Sequence, residues 1–150
     1  MFPTTKIQSK ISMKTIIAEK PSVAREIARI VGATEKEDGY LKGNGYYVTW
    51  AFGHLVMPAL PEGYGVKGFH RDNLPIIPPV FTLVPRQVKA DKGYKPDSGV
   101  VAQIKVISKL FRESDVIIVA TDAGREGELI FRYLYEYIGC ATPFDRLWTS

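Results

Sequence analysis

Two short apolar runs, KTIIA (Lys14–Ala18) and VIIVA (Val116–Ala120), each break off in charge and hand over to an amphipathic helical pattern. Runs of this length read as buried strands, and strands alternating with helices build a mostly parallel sheet with helices on its faces. After the first run, Glu19-Lys20-Pro21-Ser22 leads into Val23, Ile27, Ile30 and Val31 at helical spacing, with Ser22 as the expected cap and Gly32 as the stop. Val100, Val101, Ile104, Ile107 and Phe111 mark a second helical face. The second strand passes through Asp122 to a third helix, expected from about Gly124 to Ile138 with Gly139 as its stop.

The middle of the chain reads differently. Gly39–Phe52 has the form of a hairpin turning at Gly43-Asn44-Gly45, residues that tolerate the positive φ of a tight turn. From Met57 to Pro96 the chain is rich in Pro, Gly and Tyr. Pro58, Pro61, Pro75, Pro78, Pro79 and Pro85 break any long helix, leaving a long loop with short strands such as VFTLVP. FDRLWTS closes the sequence as a further strand.

At 150 residues the chain has room for one domain with a proper core. The net charge of +4 suits an anionic partner without selecting one. Cys140 is the sole cysteine, which excludes an internal disulfide and a cysteine-rich zinc site and points to a reducing, cytoplasmic setting. No apolar run is long enough to span a membrane. Residues 1–13 read as a loose N-terminal extension before a domain covering 14–150.

Parallel strands of one sheet present their carboxyl ends at one edge, where open α/β sheets bind ligands. Glu19 and Asp122 would therefore face each other across a crevice. In the third helix Leu129, Ile130, Tyr133, Leu134 and Tyr137 form the expected apolar stripe, with Glu126 on it and turned toward the sheet, and Glu128 off it and solvated. Three carboxylates in one crevice repel unless a cation joins them. A hard ion such as Mg²⁺, which takes oxygen ligands and phosphate, is the natural partner. Lys20 and Arg125 beside the acids would serve the anionic part of a substrate, the combination used in phosphodiester transfer. A blander reading makes Asp122 a helix cap and Glu126 a complement to the helix dipole. It does not account for an acid on an apolar stripe or for the matching acid after another strand.

The segments IIAEKPSVAREIA (Ile16–Ala28), VTWAFGHL (Val48–Leu55), ATDAGREGELI (Ala120–Ile130) and RLWTS (Arg146–Ser150) resemble, in order, the TOPRIM domain of type IA DNA topoisomerases, with bacterial topoisomerase III the nearest type. What the resemblance implies is a Rossmann-like TOPRIM fold, Mg²⁺ as cofactor and a single DNA strand as partner. In that family a tyrosine cuts the strand and holds it as a 5′-phosphotyrosine. Glu19 matches the acid after the first strand, near the scissile phosphate and available to metal, and Lys20 matches the lysine on that phosphate. Asp122 and Glu126 match the first and last acids of a D-x-D-x-E pattern whose second aspartate is replaced by Gly124. With that acid missing, the alternatives are an ion held by fewer carboxylates with water filling the gap, or an ion bound more weakly, and the number of metals stays open. His54, in a GHL like the family's and close to its active site, would hydrogen-bond the DNA backbone or a reacting oxygen, and Arg25 and Arg125, at helix starts, are candidate phosphate contacts. Trp50 and the hairpin tyrosines suit base stacking or core packing.

None of the eight tyrosines sits in the family's nucleophile motif. The resemblance therefore implies a fragment whose nucleophilic tyrosine comes from a further domain of the same chain. Three rivals are a TOPRIM primase or nuclease, a phosphorylated receiver domain and a nucleic-acid-binding module without chemistry. Glu19-Lys20 and DAGREGE fit the receiver poorly, and GHL with RLWTS speaks against the primase or nuclease.

Overall fold

A computed structural model describes residues 11–149. The elements run β1 (Lys14–Ala18), α1 (Pro21–Val31), β2 (Glu35–Glu37), β3 (Tyr40–Gly43), β4 (Tyr46–Trp50) and β5 (Val56–Pro58). They continue with β6 (Leu83–Pro85), β7 (Gln87–Lys89), β8 (Tyr94–Pro96), α2 (Ser98–Glu113), β9 (Val116–Ala120), α3 (Arg125–Ile138) and β10 (Phe144–Arg146). The main sheet has the order β10-β9-β1-β4-β3-β2. Its first four strands are parallel, and β3 and β2 add on antiparallel.

The alternation of side chains along β1 and β9 sorts the helices. Ile16 and Ala18 pack with Val48, Leu41 and the small residues Ala24 and Ala28 of α1 on one face. Ile17, Ile117 and Val119 point the other way, into a larger core with Val100, Ile104, Ile107 and Phe111 of α2 and Ile130, Phe131, Leu134 and Ile138 of α3. Both faces of the central strands are covered, as a parallel sheet requires.

The expected hairpin forms from β3 and β4, with Asn44 at φ 50° and Gly45 at φ 80° in its turn. Buried Gln103 of α2 ties it down by donating to Gly39 O (3.1 Å) and Trp50 O (2.9 Å). Trp50 and Tyr46 pack partly buried against the α1 core, the packing alternative of the sequence reading.

Several local expectations need correction. The cap of α1 is Lys20, in extended backbone with Pro21 at the first helical position, and Ser22 lies inside the helix. Proline preorganises that first turn, and its missing N–H is one that has no intrahelical partner at a helix start. The closing strand stops at Arg146. Within the long loop β5 pairs with β6 and β7 with β8, each antiparallel. Of the proposed extension, residues 1–10 lie outside the described residues, as does Ser150.

Candidate metal and phosphate site

β9, β1 and β4 are adjacent and parallel, with Ala120, Ala18 and Trp50 in register. The residues that follow them, Asp122, Glu19 and the Gly53-His54-Leu55 turn, therefore emerge at one sheet edge. Glu19 is half-buried there and Lys20, Asp122 and Glu126 are exposed. Burial, and after it the neighbouring Asp122 carboxylate, pushes the Glu19 carboxyl above its ordinary range, with the Asp122 backbone amide and Lys20 pulling back. Two carboxylates thus share one edge at an electrostatic cost that a cation would relieve.

The third expected acid is placed differently. The buried stripe of α3 is Gly127, Ile130, Phe131, Leu134 and Ile138. At about 100° per residue, Glu126 lies on its flank, and its side chain is 76% exposed. The tyrosines misled the pattern, because a phenol can sit on the edge of a helix interface with its hydroxyl in water. Tyr133 is half-buried and Tyr137 exposed. Glu126 instead meets His54, with Nε2 2.9 Å from Oε2. Tyr133 flanks the imidazole, with ring centroids 6.2 Å apart. Among the described residues, no group of three or more His, Cys, Asp or Glu side chains is gathered closely enough to hold a metal ion. The edge therefore offers a two-carboxylate pair, Glu19 and Asp122, beside a Glu126–His54 pair. Two carboxylates with water suit Mg²⁺, which ordinarily takes one or two.

Glu128 also departs from expectation. Rather than standing in solvent, it pairs with Arg132 (2.7 Å) and with Arg146 of β10. Arg146 donates in addition to Thr121 O at 2.6 Å. The Thr121 hydroxyl donates to Gly127 O at 2.8 Å. These bonds fix the turn that carries Asp122 against the start of α3. Gly127 makes that contact possible, since a Cβ there would lie 2.7 Å from the carbonyl carbon of Asp122 and closer still to its oxygen.

Sequence reasoning missed Gly127, Arg146 and Arg86. Arg86 lies in the proline-rich loop, donates to Phe52 O (3.1 Å) and His54 O (3.3 Å), and stacks over Phe52. It holds the turn that presents His54, where Gly53 adopts φ 76°. No periodicity marks such a residue; the GHL turn was legible and its anchor was not. Arg25 and Arg125 are exposed at the starts of α1 and α3.

A mostly parallel sheet flanked by three helices, with acids emerging after its central strands, fits a Toprim domain. The chain belongs to that family, which it matches over residues 14–149. It is 43% identical over 141 residues to DNA topoisomerase 3 of Shouchella clausii, 42% over 142 to that of Bacillus subtilis and 44% over 144 to that of Bacillus licheniformis. These alignments cover 91–93% of the chain and 18% of each relative. Among the described residues no helix is long and apolar enough to cross a membrane.

Proposed function

We propose that this domain supplies the cation and phosphate half of the active site of a type IA DNA topoisomerase of the topoisomerase III kind, working on DNA in the cytoplasm. The observation that carries the proposal is the meeting of Glu19 and Asp122 at the carboxyl edge of adjacent strands, with Lys20 beside them. Glu19 and Asp122 would hold Mg²⁺. Glu126 meets His54 through one carboxylate oxygen, and its other oxygen would be the one available to the ion. When bound, the ion would neutralise charge on a phosphodiester. Lys20 would pair with a non-bridging phosphate oxygen of a single strand. His54, its ring oriented by Glu126, would hydrogen-bond an oxygen of the same backbone, and Arg25 and Arg125 would steer the flanking phosphates. The nucleophilic tyrosine would be supplied from outside these residues: its oxygen would bond to the scissile phosphorus as the 3′-oxygen leaves, giving a 5′-phosphotyrosine. Attack by the freed 3′-hydroxyl would rejoin the strand after another has passed through the break.

Mg²⁺ titration of the chain, followed by amide NMR, tests the site. Shifts should centre on Glu19 and Asp122 and vanish in Asp122→Asn. Shifts scattered over surface acids, or unchanged in that variant, would remove the metal assignment. That no third acid is gathered among the described residues favours one competing reading, a nucleic-acid module without chemistry, which predicts no localised shifts at all. In a protein carrying the remaining domains, Lys20→Ala and Glu19→Ala should each abolish relaxation of negatively supercoiled DNA, and wild-type relaxation would refute their roles.

A further inference from the structure

A cavity opens next to the turn that carries Asp122. Its volume is about 410 Å³, and Gly124, Arg125, Arg132, Phe144, Arg146 and Trp148 contribute to its lining. That size falls within the roughly 300–1,000 Å³ of pockets that take small ligands.

Its charge balance is positive. Arg132 and Arg146 share one carboxylate, Glu128, and Arg125 makes no ion pair among the described residues. The Arg132 guanidinium is further held over the Phe144 ring at 4.8 Å.

Its aromatic wall is exposed: among the described residues the Trp148 side chain is 80% accessible. Its backbone is tied on both sides, because Leu147 N donates to Val119 O (2.9 Å) and Ala123 N donates to Thr149 O (3.0 Å). These bonds extend the β10–β9 pairing, so the indole is carried by ordered backbone. An aromatic face beside guanidinium groups is the chemistry that holds a nucleotide, by stacking for the base and charge for the phosphate.

The mouth of the cavity is open as well. Gly124 has φ −87° and ψ 177°, which any residue can adopt, and a Cβ there would meet nothing within 4 Å. Backbone geometry therefore does not demand glycine. Its consequence is access, with no side chain between solvent and the arginines.

We propose that this pocket takes one nucleotide of a single DNA strand, its base on the Trp148 indole and its phosphate at Arg125. Ala123 and Gly124, which line the pocket, directly follow Asp122, so the pocket adjoins the acidic edge. The proposal rests on the DNA reading above and adds to it a base-contacting site.

A labelled short oligothymidylate, titrated into the chain in chelator-treated buffer, tests it with two readouts. Anisotropy reports binding anywhere, and tryptophan fluorescence reports stacking at Trp148, with half-buried Trp50 as a constant background. The expected result is quenching that disappears in Trp148→Ala with roughly tenfold weaker binding. Gly124→Asp, sterically free but negative, should weaken binding about threefold to tenfold. An anisotropy rise without quenching, or quenching that survives Trp148→Ala, would overturn the pocket and leave the DNA reading standing. Equal quenching by free thymidine monophosphate would overturn the strand assignment. No response in either readout would overturn both.

Discussion

Replacing Gly127 by alanine sets two effects of opposite sign against each other. Gly127 lies in the first turn of α3 and is buried. Helix propensity alone favours alanine by roughly 0.5–1 kcal/mol. The tertiary contact opposes it, since the new Cβ would stand 2.7 Å from the carbonyl carbon and 2.8 Å from the nitrogen of Asp122. Ordinary carbon contacts need about 3.5–4.0 Å, so the turn must withdraw by roughly 0.8 Å or more, and the Asp122 carbonyl oxygen lies closer still. Those neighbours are backbone atoms, and no rotamer change relieves them. Overpacking of this kind costs about 1–3 kcal/mol. Withdrawal also stretches the bond from the Thr121 hydroxyl to Gly127 O, for about 1 kcal/mol more. The steric side wins, and Gly127→Ala should destabilise the chain by about 1–3 kcal/mol in urea unfolding. Because Asp122 moves with the turn, Mg²⁺ affinity should fall as well. Gly124→Ala, with open space around its Cβ, should change stability by less than about 0.5 kcal/mol. A more stable Gly127→Ala would refute the reasoning, because propensity would then have decided the outcome.

Asp97 caps α2 by accepting from Gly99 N (3.0 Å) and Val100 N (3.4 Å), and Asp97→Ala should lower unfolding stability by about 1 kcal/mol. Arg132, and with it Arg146, holds the Glu128 carboxyl below the usual range. A depressed acid stabilises the fold fully above its unfolded value, about 4.3, and loses that contribution as pH falls through the folded value. Glu128→Gln should therefore flatten the acid limb of a stability–pH profile, by under about 1 kcal/mol for so accessible a pair. Glu19 shifts the other way, raised by burial and by Asp122. Mg²⁺ affinity should thus keep climbing with pH above the ordinary glutamate range, and in Asp122→Asn that climb should move to lower pH as affinity drops; a pH-independent affinity would exclude Glu19 as a ligand.

What the sequence by itself determined is the alternation of two apolar runs with amphipathic helices, and with it a parallel sheet and its carboxyl edge. Local rules suffice there, because side-chain period and chain direction follow from covalent geometry. Glu19 and Asp122 could be brought together on that basis, from residues more than a hundred positions apart. The hairpin was legible for the same reason, since Asn44 and Gly45 carry their φ requirement in their chemistry. Glu126 shows where such rules stop. Its position differs from the buried stripe by a single residue's rotation, and which flank of α3 turns inward depends on where the helix docks. Only the tertiary structure decided that Glu126 faces His54, that Glu128 binds two arginines, and that Gly127 lets the Asp122 turn close on the helix. Each of these depends on atoms distant in sequence meeting within a few ångströms, a separation set by the packing of the whole core rather than by any local pattern.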